Sequence, residues 1–240
     1  MTSHWLISFS LLALSLHAAD VSGAVQVQGS RDQKAKQDKS GVVLWLTPID
    51  TPSASPTPSA KARIIQKNKR FEPHVLAASV GTTVDFPNLD PIFHNAFSNF
   101  DGKVFDLGLY PPGQSRSVRF DRPGITRLFC NIHSAMSAIV VVLATPYFAT
   151  SLADGSWEIR GVPPGNYKLE LYHERSTAPT LKALERTVRI PDSGLKIPPI
   201  TVSETGYVPV PHPDKFGNRY PPADTNPITT SIIKSAPVVE

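Results

Sequence analysis

The chain of 240 residues has one cysteine, Cys130, and so cannot form a disulfide bond within itself. This excludes a small domain stabilised by internal disulfides. An intermolecular disulfide, a free thiol and a metal-bound thiolate all remain open. An oxidising compartment disfavours a free thiol, so the metal-bound form has the advantage if the chain is exported.

Long apolar runs are also missing from the sequence. The run nearest the N-terminus covers residues 6–16 and is too short to cross a bilayer as a helix. Small residues follow it, and Ser22, Gly23 and Ala24 fit a cleavage site. This pattern predicts a secretory signal peptide over residues 1–24. We therefore expect a secreted or periplasmic protein with no integral membrane segment after signal removal.

Neither sign of charge dominates the chain. Lys and Arg number 24 and Asp and Glu number 20, which gives a formal net charge of +4. No basic stripe indicates a nucleic-acid face, so we expect no nucleic-acid partner. The densest basic run is interpreted as a solvated strand face, with a docking patch for an acidic partner as the alternative. It comprises Lys61, Arg63, Lys67, Lys69 and Arg70.

The 24 prolines and the many short β-branched and aromatic segments predict an all-β protein. Residues 25–145 are expected to form a β-sandwich domain with an N-terminal extension. Residues 146–203 are expected to form a small second β-sandwich, since hairpin signals surround the Asp-Gly and Pro-Pro-Gly turns of residues 154–171. Residues 204–240 are rich in Pro and polar residues and predict an extended or disordered tail, in which His212 is exposed to solvent.

The chemistry is concentrated around the single cysteine. Cys130 ends a predicted strand, and His133 and Met136 are expected in the loop that follows it. His94 lies 36 positions upstream (130 − 94), after another predicted strand. A thiolate, two imidazoles and a weak thioether form the donor set that selects copper. Zinc prefers four strong ligands, and a thioether is a poor fourth one.

Each of these four residues has an ordinary structural explanation when it is taken alone. A lone cysteine or methionine is usually a buried apolar residue, and a lone histidine usually lies at the surface. The combination at this spacing is more specific than its parts. It predicts one copper ion bound by His94, Cys130, His133 and Met136.

The segments that surround these residues resemble the cupredoxins. They are FEP at residues 71–73, VGTTVDFPNLD at 80–90, HN at 94–95 and FCNIHSAM at 129–136. The short ligand loop is most similar to the plastocyanin and amicyanin branch. The resemblance covers about residues 41–145 and implies an eight-stranded Greek-key sandwich with type 1 (blue) copper at one end.

The resemblance also implies a role for each residue of the site. His94 would be the first ligand, Cys130 the thiolate, and Met136 the weak axial ligand. His133 would be the ligand whose ring edge reaches the surface. Asn95 would join the two ligand loops by hydrogen bonds. An apolar collar would exclude water, and its members would be Phe129, Phe93, Phe97, Ala135 and Pro91.

Two wider resemblances concern the rest of the chain. Residues 154–174, DGSWEIRGVPPGNYKLELYHE, resemble the carboxypeptidase regulatory-like (transthyretin-like) domains, which usually perform no chemistry. The whole chain resembles exported bacterial proteins labelled methylamine-utilisation-like or plastocyanin-like. The label is weak evidence for methylamine chemistry itself.

These observations favour an electron carrier that exchanges single electrons with a transient redox protein partner. A copper-binding or delivery protein is one alternative, and a structural module of the cell envelope with a copper site is another. An enzyme is not expected, because the seven histidines include no His-x-His pair that would build a further copper site with an open position. The oligomeric state is left open by the sequence.

Overall fold

The computed structural model describes residues 18–29, 38–58, 62–99, 102–208 and 212–220. Most of the predicted signal peptide lies outside these residues. The all-β prediction is confirmed, since eighteen strands and one short helix form the described elements. The first strands in chain order are β1 (Ala19–Gln28), β2 (Val43–Pro48), β3 (Ala62–Arg63), β4 (Ile65–Lys67), β5 (Arg70–Glu72), β6 (Val75–Ser79), β7 (Thr83–Pro87), β8 (Phe97–Ser98) and β9 (Phe105–Asp106). The others are β10 (Ser115–Arg119), β11 (Gly124–Cys130), β12 (His133–Leu143), β13 (Phe148–Thr150), β14 (Ser156–Val162), β15 (Gly165–Tyr172), α1 (Ala178–Leu184), β16 (Arg186–Ile190), β17 (Leu195–Lys196) and β18 (Ile200–Ser203).

The first sandwich is built from two sheets with strand orders β6-β12-β11-β8-β9 and β10-β7-β3. A small hairpin, β4-β5, lies beside them. Alternate residues of the strands share one apolar core, in which Phe86, Tyr110, Phe120, Leu128 and Met136 are fully buried. A period-2 pattern of this kind places every second side chain inward. The short strands between Gly and Pro turns are therefore stabilised by the core that they share.

The second sandwich takes strands from both ends of the chain. One sheet has the order β13-β2-β15-β16, and the other joins β14, β1 and β17, with β18 also paired to β1. Their shared core includes Val21, Leu44, Trp157, Leu169 and Val202. The expected division attached the N-terminal extension to the domain of residues 25–145. The hydrogen bonds instead place β1 and β2 in the second sandwich, which supplies the core that residues 146–203 lack on their own.

The start of β1 bears on the predicted end of the signal peptide. β1 begins at Ala19, and Val21 has no exposed surface. Gly23 lies against Trp157, where an added Cβ would come within 2.6 Å of the indole ring. Cleavage after Ala24 would therefore remove strand residues that pack in the core. The structure is consistent with a folded protein that retains Ala19 and the residues after it.

β12 joins the two sandwiches because it is buried on both faces. Val140 and Val142 belong to the core of the first sandwich. Val141 and Leu143 belong to a third cluster, which also includes Tyr172 of β15. A strand buried on both sides needs apolar residues at consecutive positions. This explains the continuous run of Ile, Val and Leu at residues 139–143.

An ion pair also connects the two sandwiches. The Nε2 atom of His74, between β5 and β6, lies 2.6 Å from the Oε2 atom of Glu174, after β15. The hydrogen bond that His74 donates to the Glu174 carboxylate raises the pKa of His74 above its ordinary value, although burial opposes the shift. Burial alone would raise the pKa of Glu174, but the hydrogen bond and charge of His74 outweigh it and lower that pKa.

The one helix among the described residues was not expected from the sequence. It is α1 in the second sandwich, where the side chain of Thr177 accepts a hydrogen bond from the Thr180 N–H at 3.4 Å. Pro179 lies in its first turn, where a missing N–H costs nothing. None of the described helices has the length and apolarity needed to cross a bilayer.

The place of β1 in the core gives a first prediction. Val21→Ala should lower the free energy of unfolding by about 2 kcal/mol, since two buried methylene equivalents and some packing are lost. Val104→Ala is the control, because Val104 is 67% exposed. Chemical denaturation of both variants measures the difference. Equal free energies of unfolding for Val21→Ala and Val104→Ala would mean that β1 does not pack in the core of the second sandwich.

The His74–Glu174 pair gives a second prediction, on pH. A raised histidine pKa stabilises the fold below the unfolded value of 6.5, and this is lost as the pH rises through the folded value. A lowered carboxyl pKa stabilises it above 4.5, and this is lost as the pH falls. The stability difference between wild type and His74→Gln should therefore be largest between these pH values. Denaturation curves from pH 4 to 9 test this, and a difference independent of pH would contradict it.

Candidate metal centre

The hairpin between β11 and β12 carries three of the four predicted ligands. Cys130 ends β11 and pairs with His133, which begins β12, so that only Asn131 and Ile132 form the turn. The preceding pair is Phe129 with Ser137. One step along β11 therefore corresponds to four steps along β12, and residues 134–136 have no paired residue on β11. We call residues 130–136 the ligand hairpin.

This geometry corrects one detail of the sequence prediction. His133 and Met136 were expected in a loop after the strand, but both lie within β12 (His133–Leu143). The unpaired residues form a bulge, which bends the strand and reorients its side chains. The bulge buries Met136 completely and leaves Ser134 and Ala135 exposed.

His94 reaches the same place from the segment between β7 and β8. Its backbone N–H donates to the Tyr110 carbonyl at 3.2 Å, and its carbonyl accepts from the Tyr110 N–H at 2.9 Å. The Tyr110 ring is fully buried, and its hydroxyl donates to the Phe86 carbonyl at 2.8 Å. The backbone of His94 is therefore held at a fixed position between β7 and β8.

The three strong donors converge on one point. The Cys130 Sγ atom lies 3.8 Å from His94 Nδ1 and 3.6 Å from His133 Nδ1. The ligand atoms of the three residues all lie within 4.8 Å of one another. A metal bonded at about 2.3 Å to sulfur and 2.0 Å to nitrogen holds these atoms roughly 3.5 to 3.7 Å apart, for tetrahedral to trigonal angles. The spacing therefore fits a single metal ion.

Met136 shares the buried environment of the sulfur. Its side chain has no exposed surface and belongs to the same apolar cluster as Cys130. The unpaired bulge carries it to the end of the hairpin where His133 lies. This placement is compatible with a weak thioether ligand, and the ligand role itself remains a prediction.

Asp90 orients the ring of His94, and the sequence had given it no role at the site. Its Oδ2 atom lies 2.7 Å from His94 Nε2, so Nδ1 is the nitrogen that faces the sulfur. The carboxylate also accepts hydrogen bonds from the backbone N–H groups of Asn68 and Lys69. A carboxylate behind a histidine is the usual arrangement at metal sites, because it fixes the ring orientation. The only sign of this contact in the sequence was that Asp90 lies four residues before His94.

The pKa values of both imidazoles are lowered, which favours the neutral form that binds metal. Burial lowers the pKa of His94, although the hydrogen bond to Asp90 opposes the shift. Burial, followed by the charges of His94 and Lys69, lowers the pKa of His133 to about 4. Burial alone would raise the pKa of Asp90, but hydrogen bonds from Lys69, His94 and Asn68 outweigh it and lower that pKa. Protons therefore compete weakly for His133 near neutral pH.

The sulfur of Cys130 lies in an apolar core but is surrounded by backbone N–H groups. Burial raises the pKa of the thiol, and the backbone N–H groups of Asn95, Ile132 and His133 act in the opposite direction. Donors of this kind stabilise a thiolate, which is the form that ligates a metal. The arrangement fits a sulfur that becomes charged only when a cation neutralises it.

Asn95 joins the two segments that carry the ligands. Its Oδ1 atom accepts the Asn131 N–H at 2.6 Å, and its Nδ2 atom donates to Asp106 Oδ1 at 3.0 Å. Asp106 was not singled out in the sequence. Because Asn95 follows His94 and Asn131 follows Cys130, this bond couples the positions of the two ligands.

Three other expectations are modified by the structure. The Nε2 atom of His133 is buried and has no hydrogen-bond partner, so this edge of the ring does not reach the surface as expected. Of the predicted collar, Phe97 and Phe129 are buried, whereas Phe93 is 37% exposed. His212 is not free in solvent. It is half-buried, and its ring stacks on Phe129 with centroids 3.8 Å apart.

The donor set fits copper on the evidence of these residues. A buried thiol beside backbone N–H donors and a carboxylate behind the imidazole of His94 are features of a metal site. Two imidazoles, one thiolate and one nearby thioether suit both oxidation states of copper.

Solved structures similar to part of the chain include several cupredoxins. A purple cupredoxin from Nitrosopumilus maritimus is 28% identical and covers 34% of this chain and 99% of its own, with a TM-score of 0.31. A Cu(I) amicyanin mutant is 21% identical and covers 44% of this chain and 100% of its own, with a TM-score of 0.33. A Cu-containing nitrite reductase from Thermus scotoductus SA-01 is 23% identical and covers 49% of this chain and 28% of its own, with a TM-score of 0.33. No family model and no curated protein matches the chain.

The contact between Asp90 and His94 gives a third prediction. Asp90→Asn should weaken copper binding by about 10- to 100-fold, because the ring of His94 loses the charge that orients it. Competition with a chelator of known affinity measures the change. Asp85→Asn is the control, since that carboxylate accepts its hydrogen bond from Ser117 on β10 instead of holding His94. Equal affinity for both variants would show that Asp90 does not support the ligand.

Proposed function

We propose that the chain is an electron carrier that holds one type 1 copper ion. His94, Cys130 and His133 are the strong ligands and Met136 is the weak axial ligand. A copper ion bound here supplies a one-electron couple between Cu(I) and Cu(II). The observation that carries the proposal is the convergence of Cys130 Sγ with the Nδ1 atoms of both histidines, at 3.6 and 3.8 Å.

The residues of the site serve electron transfer by resisting movement. A carrier is fast when its ligands keep nearly the same positions in both oxidation states. The backbone of His94 is bonded to Tyr110, and the side chain of Asn95 is bonded to the turn of the ligand hairpin. Burial of Cys130 and Met136 excludes water from the sulfur side. A rigid and dry site of this kind favours exchange of an electron over exchange of a ligand.

The surroundings also favour a carrier over a copper enzyme or a delivery protein. Within the described part of the chain, one group brings together at least three His, Cys, Asp or Glu side chains in metal-binding range, and it is His94, Cys130 and His133. A catalytic copper site would need a further cluster with an open position. A delivery protein would expose its sulfur for ligand exchange, but Cys130 has no exposed surface.

The proposed partner is a redox protein that binds transiently. Apolar side chains next in sequence to the site residues are exposed, namely Leu89 beside Asp90 and Phe93 beside His94. Ala135 is exposed within the ligand hairpin. A small contact of this kind is typical of short-lived redox complexes.

We further propose that the protein is exported to the periplasm or beyond. We also propose that the second sandwich is a carboxypeptidase regulatory-like module without chemistry.

A visible spectrum tests the proposed function. With one equivalent of Cu(II), the protein should absorb strongly near ~600 nm, because charge transfers from the Cys130 sulfur to copper in such a site. Cys130→Ser should abolish the band. Met136→Leu should retain a band, since the axial ligand is weak.

Three outcomes would count against the proposal. A colourless Cu(II) protein would exclude a type 1 site, and a band that persists in Cys130→Ser would place its origin elsewhere. Transfer of copper to a chelator that outpaces electron self-exchange would indicate a delivery protein. Ser137→Ala is the matched control for both ligand substitutions and should keep the band. Ser137 lies next to Met136 in β12 and is not a predicted ligand.

A further inference from the structure

The chain returns to the metal centre after it has completed the second sandwich. Residues 212–220, which we call the C-terminal strap, lie against the ligand hairpin. The Tyr220 hydroxyl donates to the Cys130 carbonyl at 2.9 Å. The Lys215 N–H donates to Asn131 Oδ1 at 2.9 Å. His212 Nε2 lies 3.0 Å from the Ser134 carbonyl.

The strap also covers an aromatic side chain at the base of the hairpin. The ring of His212 stacks on Phe129 with an interplanar angle of 27°. The ring of Tyr220 meets His212 edge-on, with centroids 5.2 Å apart. Stacked and edge-on aromatic pairs of this kind exclude water and fix ring positions. The ring of Phe129 is buried, and His212 covers the side that faces the strap.

A turn inside the strap allows both of its ends to face the hairpin. Asp214 Oδ1 accepts hydrogen bonds from the N–H groups of Phe216 and Asn218. The Asp214 N–H donates to the Asn218 carbonyl at 2.8 Å, and Gly217 has a positive φ of 88°. A side-chain oxygen that caps its own turn is a common way to reverse the chain. The reversal returns Tyr220 to the ligand hairpin beside His212.

A further contact links the strap to the other ligand segment. The Lys215 ammonium group lies 2.7 Å from Asp106 Oδ2. The Oδ1 atom of the same carboxylate accepts from the Asn95 amide, which in turn holds the turn of the hairpin through Asn131. The strap therefore contacts the hairpin directly and also supports the residue that follows His94.

From these contacts we propose that His212 and Tyr220 are positioning residues that close the metal site and hold the ligand hairpin. The hairpin carries three unpaired residues in its bulge, and the Cys130 and Ser134 carbonyl oxygens on it are bonded by the strap. With the strap in place the sulfur stays dry and the hairpin keeps one conformation. The proposal rests on the metal site of the proposed function but concerns the protein with or without its metal.

The reactivity of the single cysteine in the metal-free protein provides the test. Cys130 has no exposed surface, so a soluble disulfide reagent reacts with it only when the site opens. Tyr220→Phe removes the hydroxyl that bonds the Cys130 carbonyl and keeps the ring. We expect this variant to react about fivefold faster, as loss of one hydrogen bond makes opening more frequent.

Matched variants separate the strap from general loosening of the fold. Tyr207→Phe makes the same chemical change earlier in the tail, where the backbone N–H of Tyr207 bonds the Glu204 carbonyl. It should react at the wild-type rate. His212→Phe keeps a ring on Phe129 but loses the bond to Ser134, and should react more slowly than His212→Ala, which loses both. Denaturation midpoints of all variants show whether the fold is retained.

The outcomes distinguish this proposal from the proposed function. If Cys130 reacts with the disulfide reagent at the wild-type rate in both Tyr220→Phe and His212→Ala, the role of the strap is overturned. This holds even if the wild-type protein is blue with Cu(II). Equal acceleration in Tyr207→Phe would also overturn it, because the effect would then be global. A colourless wild-type protein whose Tyr220→Phe variant still reacts faster would overturn the copper assignment and leave the strap supported. In a blue protein, Tyr220→Phe should also shift the band near ~600 nm, since the hairpin that carries the sulfur relaxes.

Discussion

The burial of β12 on both faces is the constraint on which the rest of the structure depends. Its side chains alternate between the core of the first sandwich and the cluster shared with the second, and hydrogen bonds to β11 and β6 hold its two edges. A shift in register by one residue would exchange the two faces of the strand, so the apolar packing on both sides fixes the pairing. The fixed register leaves residues 134–136 unpaired and thereby sets the shape of the ligand hairpin.

The candidate metal site is stabilised by hydrogen bonds that compensate for burial. The thiol of Cys130 and the imidazole of His94 are buried and that of His133 is half-buried, and such groups are costly to bury without partners. The His94 ring has Asp90 behind it, and the sulfur of Cys130 has backbone N–H groups around it. The His133 ring is the exception, because its Nε2 atom is buried without a hydrogen-bond partner and a metal bound at Nδ1 would not supply one. The same contacts that lower the free energy of the fold therefore orient the donors.

The two ends of the chain complete parts of the molecule that lie far from them in sequence. β1 and β2 add two strands and their apolar residues to the second sandwich. The described part of the tail then leaves that sandwich and contacts the ligand hairpin of the first. Together with the cluster around β12 and the pair of His74 and Glu174, these connections make the two sandwiches depend on each other. The second sandwich also binds the start of the tail, because the Glu204 N–H donates to the Gln28 carbonyl at the end of β1.

The sequence by itself determined the β-structure, the donor residues and their local spacing. Alternating apolar positions and Gly or Pro turns indicate strands, and the positions of Cys130, His133 and Met136 depend on one hairpin whose geometry is local. Tertiary structure alone decided that β1 pairs with β14, that Asp90 supports His94 and that His212 stacks on Phe129. The physical reason is that a period of two shows which side chains face inward but not which distant strand or tail packs against them. Those choices depend on the register and on the surface left open by every other element of the fold.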